Sequence, residues 1–509
     1  MRPPHWAMRL AAARDWARVR RGLADPAATQ SAVLRRILRL YRDTELGRTL
    51  DLATIDGPAA FARRVPVTDE AFYAPFHERV RETNAAGVAT PRALRYMART
   101  SGTTRVSKYL PYPEELIRAF KTFETRVTLH AMRDLGRYDL LDGQLLITSS
   151  APSYERTAEG LTIGSSSGIM TLLAPAFART LVRPTPDVLA LTDWQAKIEA
   201  TARQALPLDI RVMTGIPLFV VPILERLLAL AAEAGRPAAN ARELWPNLTV
   251  YYWSGASIAL YEARLRALFG PGVHFREIYS ATEAPIAYQH RDGEPGLLVN
   301  LEHAYFEFQE AEAPADAPRL GVADVRVGVP YRVLVTTLGG LFAYRLGDVV
   351  EFVSTAPLCL RVLGREVEEL NLASEKMPRR VLEAALADAA QACAVSVRDY
   401  FIAPPADTRA VPAYHWYLEL SEPADLTGLG RALDEALRSR HNYYRAIRAD
   451  NAVLGPCVAH ALPPGTLDAY VLDTRPFGQG KPVKLYGDRT LPDRILAYAA
   501  TRADVAADG

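Results

Sequence analysis

The segment Thr100-Ser101-Gly102-Thr103-Thr104-Arg105-Val106-Ser107-Lys108 gathers hydroxyls around a glycine and ends on a lysine. That composition suits a loop that wraps phosphate: glycine lets backbone N–H groups converge, the hydroxyls donate and the ammonium supplies charge. It lacks the order of a P-loop, and a Ser/Thr-rich turn ahead of a helix near Pro113 has the same composition. A second cluster, Ile278-Tyr279-Ser280-Ala281-Thr282-Glu283, follows a strand-like run. Its ring can stack on a purine, its threonine can bond a phosphate, and its carboxylate can hold Mg²⁺, which prefers oxygen ligands. A strand end with a helix cap is the plainer alternative. In Tyr344-Arg345-Leu346-Gly347-Asp348-Val349-Val350, an aspartate on a turn between two strands could accept both hydroxyls of a ribose or could be a solvated turn residue. Phe477-Gly478-Gln479-Gly480-Lys481-Pro482-Val483-Lys484 sets two lysines on a glycine-bracketed loop, which could equally be a flexible basic loop.

Only six of the 60 basic residues are lysines: Lys108, Lys121, Lys197, Lys376, Lys481 and Lys484. Arginine is therefore the generic cation of this chain. A retained lysine marks either chance or a place where a compact ammonium is wanted in place of a planar fork.

These clusters need elements to position them. The first ninety residues read as helices, with Leu and Ile at helical spacing in SAVLRRILRLY. From about Gly143 onward, QLLITSS, DIRVMTG, LTVYYWSG and HFREIYS read as strands, separated by helical stretches such as PLFVVPILERLLALAAEAG and IALYEARLRALFG. Such alternation argues for a parallel α/β sheet, whose ligands bind outside the carboxyl ends of the strands. After Leu297, the stretches YFEFQE, ADVRVG, YRVLVTT, LFAYRLGDVVEFV and LCLRVLG suggest antiparallel β-structure. A smaller α+β segment follows Gly364, with helices near Pro378–Gln391 and Leu429–Arg438 and a strand near His415–Leu420. Residues 1–363 are thus expected as a large N-terminal domain and 364–509 as a small C-terminal one.

Composition removes several function classes. A chain of 509 residues exceeds the usual single-core limit of about 250–300 residues. A formal charge of +2 gives no field that argues for nucleic acid or an anionic membrane as partner. Three scattered cysteines suggest neither a disulfide framework nor a zinc site, and the nine dispersed histidines show no metal-ligand spacing. With no signal-like leader and no apolar run of about 18 residues, the expectation is a cytoplasmic protein.

The order and spacing of the four clusters resemble those of the adenylate-forming ligases. More narrowly, the chain resembles the auxin-responsive acyl acid–amido synthetase family, in a bacterial-style version. The likeness runs through DTELGR, RVPVTDEAFYAPF, SGTTRVSKYLPY, MTGIP, LWPNLTVYYWSGAS, YFEF, VLVTTLGGLFAYRLGDVVEF, HNYYRAIR and GQGKP. It implies a large adenylate-forming domain, with parallel α/β sheets and a β-barrel-like subdomain, and a mobile α+β C-terminal domain turning about Gly364-Arg365.

The resemblance also implies roles. Ser101, Gly102, Thr103, Thr104 and Lys108 would line the triphosphate. The backbone of Ser254, Gly255 and Ala256 and the side chain of Tyr279 would hold adenine, and Ser280 and Ala281 would also border the nucleotide. Thr282 would touch the α-phosphate, Glu283 would carry Mg²⁺, and Asp348 would grip the ribose with Arg365 nearby. Lys481 would stabilise charge as pyrophosphate leaves, with Lys484 as the second choice. The substrates implied are ATP, a small carboxylic acid, and an amine or amino acid; the expected state is a monomer or weak dimer, on which the sequence is otherwise silent. Two residues depart from the family pattern: Arg105 stands where glycine is common, and Ala281 where serine is.

Leu218 and Phe219, after the MTGIP turn, are candidates for the acyl pocket. Leu116, Phe120, Phe123 and Val127 on the helix after the phosphate loop read as core. The rival readings are an acyl-CoA or carrier-protein ligase, a catalytically silent nucleotide-binding member, and a serine hydrolase using Gly164-Ser165-Ser166-Ser167-Gly168. The last formally matches GxSxG but reads as a flexible loop.

Overall fold

Helix formation near the N-terminus follows from capping and stripe. Asp25 accepts the Ala28 N–H at 2.9 Å and Pro26 occupies the first turn of the helix Pro26–Tyr41. Its buried residues Gln30, Val33, Leu34, Ile37, Leu38 and Tyr41 recur at helical spacing. Gln30 ties this face to the sheet by donating to the carbonyls of Leu301 and Ala304 and accepting the Phe306 N–H. The computed structural model describes residues 3–507 apart from 101–107, 150–152, 154, 175, 192, 255–257, 259–260, 312, 315, 366–368, 408, 449–452, 468 and 471–483.

The described residues form two compact units. The first comprises Met1–Gly215, Arg226–Ser254 and Gly270–Glu366; the second comprises Ile216–Glu225, Gly255–Phe269 and Val367–Gly509.

In the first unit an 11-stranded sheet runs in the order Ala304–Glu310, Pro330–Thr337, Tyr344–Thr355, Leu358–Arg365, Leu297–Val299, Pro285–Tyr288, His274–Ser280, Val250–Trp253, Ile210–Thr214, Gln144–Ile147 and Val182–Arg183. The last five are mutually parallel and the others antiparallel. The strand runs seen before and after Leu297 in the sequence are therefore hydrogen-bonded into one sheet. ADVRVG forms no strand: only Val327 makes an isolated bridge, to Phe352, and Asp324 folds back onto the Gly321 N–H in a turn. A second sheet orders Lys108–Pro111, Tyr96–Thr100, Thr162–Gly164 and Glu155–Arg156.

The long helix Glu114–Leu135 ends at Gly136, which takes the left-handed conformation that glycine permits (φ 65°). Its Leu116, Phe120, Phe123 and Val127 are all buried in the apolar core, as their stripe suggests.

The second unit pairs Val397–Ala403, His415–Leu420 and Val458–Leu462 in one sheet, with helices Arg379–Ala392 and Leu426–Arg440. No helix among the described residues is long and apolar enough to cross a membrane.

Candidate active site

The large sheet changes from parallel to antiparallel between His274–Ser280 and Pro285–Tyr288. There Ala281 and Ala284 exchange backbone hydrogen bonds of 3.0 and 3.3 Å, so Thr282 and Glu283 are the two central residues of a tight hairpin turn. A two-residue link is a common way to join antiparallel strands. It sets a hydroxyl and a carboxylate at the carboxyl end of the last parallel strand, where α/β sheets bind ligands. The helix cap considered from the sequence is replaced by this turn because Pro285 opens a strand.

Tyr112 holds the turn from behind by donating to the Thr282 carbonyl at 2.8 Å. Its one proton is committed there, so the Ser166 hydroxyl bonded to it is the donor in that contact. Ser166 belongs to the GxSxG match, which is not a loop. The strand Thr162–Gly164 leads into Ser165, which caps the helix Ser166–Leu172 by accepting the Gly168 N–H at 2.9 Å. This is the strand-to-helix form of a nucleophile elbow. Yet Ser166 gives its proton to a phenol that burial keeps protonated, which leaves the serine without the activating base a nucleophile needs.

Asp348 accepts the Tyr279 hydroxyl at 2.7 Å. It does not lie on a turn between two strands, as Gly-Asp suggested, but inside the strand Tyr344–Thr355 with its backbone opposite Arg365. Pairing jumps from Arg332–Val349 to Leu334–Arg345, so Leu346, Gly347 and Asp348 together face only Val333. Gly347, at φ 83°, makes this bulge possible.

Lys108 opens its strand directly across from Thr100, which brings together the two ends of the segment 101–107. Its ammonium donates to the Tyr344 hydroxyl at 3.2 Å and stands 3.9 Å from Glu70 Oε2. Tyr344 in turn donates to Glu70 at 3.4 Å. Burial pushes the Glu70 carboxyl up to about 7 despite the attraction of Lys108, and the nearby charge of Glu283 adds to the rise.

The structure thus gathers Lys108, Tyr279, Thr282, Glu283 and Asp348, and it sets Arg365 beside Asp348 through the backbone. Ser280 is exposed, Ala281 packs on the main core, and Ser254 is half-buried after the strand Val250–Trp253. Ser101, Gly102, Thr103, Thr104, Arg105, Gly255, Ala256 and Lys481 lie outside the described residues, as do the side chains of Arg365 and Leu218. Phe219 is half-buried near the start of the helix Pro217–Glu233 and counts with the second unit. Lys484 is buried, paired with Asp399 and set over the Tyr400 ring, which commits it to packing. Sequence reasoning missed Glu70 and Tyr112, weighed Ser166 only as a hydrolase nucleophile, and gave Tyr344 no role. The available signal was Asp69, which caps the helix Glu70–Thr83 and so fixes Glu70 in its first turn.

Comparison with known families places these residues in context. Three family models match in order: the GH3 family N-terminal domain over residues 17–206, the central domain over 297–365 and the C-terminal domain over 380–489. The chain belongs to the GH3 family. Among its GH3 relatives, a probable indole-3-acetic acid-amido synthetase of Oryza sativa subsp. japonica is 27% identical, covering 82% of this chain and 83% of that protein. A jasmonoyl–L-amino acid synthetase of the same plant is 26% identical over 62% of this chain and 82% of its own. The GH3.15 acyl acid amido synthetase structure shares the fold with a TM-score of 0.60 at 17% identity, covering 95% of each chain. A 2-hydroxyisobutyryl-CoA ligase does so at 0.53 and 14%, covering 93% of each.

Proposed function

We propose that this GH3 protein is an ATP-dependent acyl-acid amido synthetase. The observation that carries the reading is the assembly of Lys108, Thr282–Glu283 and the Tyr279–Asp348 pair at the carboxyl end of the sheet, within a chain matched by all three GH3 domain models. The relatives named as amido synthetases support the same chemistry.

A carboxylate acylates poorly because its oxygen is a poor leaving group. One carboxylate oxygen attacks the α-phosphorus of ATP, the bond to the pyrophosphate oxygen breaks, and an acyl-adenylate forms. An amine then attacks the acyl carbon, a C–N bond forms, the C–O bond to AMP breaks, and the amine loses a proton. The protein's part is to position the reactants and neutralise charge.

In this reading Ser101, Gly102, Thr103, Thr104 and Lys108 bind the triphosphate. Ser254, Gly255, Ala256 and Tyr279 bound the adenine, Ser280 and Ala281 border the nucleotide, and Asp348 with Arg365 takes the ribose. Lys481 supplies charge from the C-terminal segment, and Leu218 and Phe219 border the acyl group. The half-buried Glu283 carboxylate, close enough to Glu70 to raise it, is the oxygen donor that a hard cation requires, so Glu283 would hold Mg²⁺. Bound there, Mg²⁺ would neutralise phosphate charge. Among the described residues no group of three or more His, Cys, Asp or Glu could hold a metal ion.

The test is AMP release from ATP across panels of acids and amines, with mass detection of products. An amide with AMP and pyrophosphate supports the proposal and names both substrates. AMP release that depends on CoA, with no amide, replaces it with thioester synthesis. No nucleotide turnover with any acid moves the chain to a silent nucleotide-binding member.

A further inference from the structure

Tyr344 is buried at 2% exposure, yet a phenylalanine would fill the same volume and leave no polar atom to satisfy. Among the described residues its hydroxyl has two side-chain partners, Lys108 as donor and Glu70 as acceptor. The Lys108 ammonium also lies 5.9 Å from the centre of the Tyr344 ring. Three elements converge on this contact: the first turn of the helix Glu70–Thr83, the start of the strand Tyr344–Thr355, and the first residue of the strand Lys108–Pro111.

Thr68 locks the first two together. Its N–H donates to the Ala343 carbonyl at 3.1 Å, its carbonyl accepts the Arg345 N–H at 2.9 Å, and its hydroxyl donates to the Phe342 carbonyl at 2.7 Å. Glu70 and Tyr344 are thus fixed relative to each other by backbone, independently of the lysine. Lys108, by contrast, carries a flexible four-carbon stem whose ammonium has no preferred place unless one is provided.

We propose that Tyr344, braced by Glu70, is a positioning residue that seats the Lys108 ammonium for the β- and γ-phosphates of ATP. This rests on the ligase reading, because it assigns to Lys108 the triphosphate role. A preformed seat removes the need to order the lysine when nucleotide arrives, which is where preorganised charge gains its effect. AMP, which lacks those phosphates, does not use the seat.

The experiment is calorimetric titration of the full chain with ATP and, separately, with AMP, both in buffer containing Mg²⁺. It compares wild type, Tyr344→Phe, Lys108→Met and the double variant, with thermal midpoints checked for folding and Lys108→Ala as a second lysine variant. Tyr344→Phe is expected to weaken ATP binding by about 10-fold or more, the effect of one hydrogen bond to a charged group, and to leave AMP binding unchanged. The double variant should bind ATP no more weakly than Lys108→Met to within about 2-fold. Wild-type affinity in Tyr344→Phe, an equal loss for AMP, or additive losses in the double variant would each overturn the assignment. Wild-type protein that binds neither nucleotide would instead remove the ligase reading, and this inference with it.

Discussion

Tyr279 and Asp348 share a hydrogen bond of 2.7 Å although three strands separate theirs in the sheet order. Four inter-strand spacings would put them about 19 Å apart if the sheet were flat. The antiparallel half must therefore curl back over the end of the last parallel strand. Curvature of this kind is what bulges supply, and the strand Tyr344–Thr355 has register shifts against both neighbours. The curl brings the Asp348 carboxylate to the same edge as the Thr282–Glu283 turn.

That relationship predicts a graded pair of variants. Asp348→Ala should lower ATP affinity by on the order of 100-fold, the loss of two hydrogen bonds to a charged acceptor. It should also remove any preference for ATP over 2′-deoxy-ATP. Tyr279→Phe keeps the ring and leaves the carboxylate short of one donor, so a loss of about 10-fold with the preference intact is expected. A Tyr279→Phe variant that loses the preference altogether would mean that Tyr279 itself contacts the sugar.

The two C-terminal lysines should separate cleanly. Lys484 is enclosed with Asp399 and the Tyr400 ring, so Lys484→Ala strands a partly buried carboxylate and should cost about 1–3 kcal/mol in chemical denaturation. Lys481→Ala should abolish most acid-dependent pyrophosphate release while the denaturation midpoint stays put. Unchanged pyrophosphate release in Lys481→Ala would end its assignment to charge stabilisation.

Much of this was legible in the sequence because it depends on local pattern. Alternating apolar runs ending in small residues identified the parallel strands, and the unusual retention of Lys108 singled out a residue that the fold sets beside Glu70 and Tyr344. Retention was not a sufficient sign of chemistry, since Lys197 spends its ammonium on the carbonyls of Ser149 and Leu189 and Lys484 on Asp399. What stayed hidden depended on long-range geometry. Glu70 is 38 residues from Lys108 and 274 from Tyr344, so no spacing rule joins them. Asp348 misled for a local reason: Gly-Asp is a turn dipeptide, and only the bulge opposite Val333 lets it sit within a strand.

Glu375 should be the stability centre of the second unit. Its fully buried carboxylate accepts the Leu372 and Ala373 N–H groups at 2.8 and 2.5 Å and the Tyr414 hydroxyl at 2.7 Å. It also holds a loop in which Ser374 and Lys376 take positive φ values of 63° and 46°, which only a well-determined surrounding maintains. Glu375→Ala would leave three buried donors without an acceptor, and a loss of about 3–5 kcal/mol is expected in urea denaturation. A loss below about 1 kcal/mol would show that the loop relaxes without its clamp.

The same unit should weaken in acid through a histidine pair. His415 Nδ1 and His460 Nε2 lie 2.9 Å apart with their rings stacked, and Arg489 adds a positive charge near both. Burial, then the neighbouring histidine and arginine, bring His415 down from 6.5 to about 4, and burial with Arg489 lowers His460 as well. Both rings are therefore neutral in the fold at pH values where the unfolded chain is already taking up protons. The stability this represents is complete above about pH 6.5 and is lost progressively as the pH falls toward 4. Other buried histidines, such as His303, add to the acid sensitivity of the whole protein, so the comparison must be made against a single variant. His415→Gln keeps a hydrogen-bonding side chain beside His460 but removes one titrating ring and the repulsion it feels. Denaturation midpoints measured from pH 7.5 to 4.5 should fall less steeply for His415→Gln than for wild type, with the two curves converging as the pH drops. Parallel curves would mean that this pair titrates normally in the fold and that the acid sensitivity lies elsewhere.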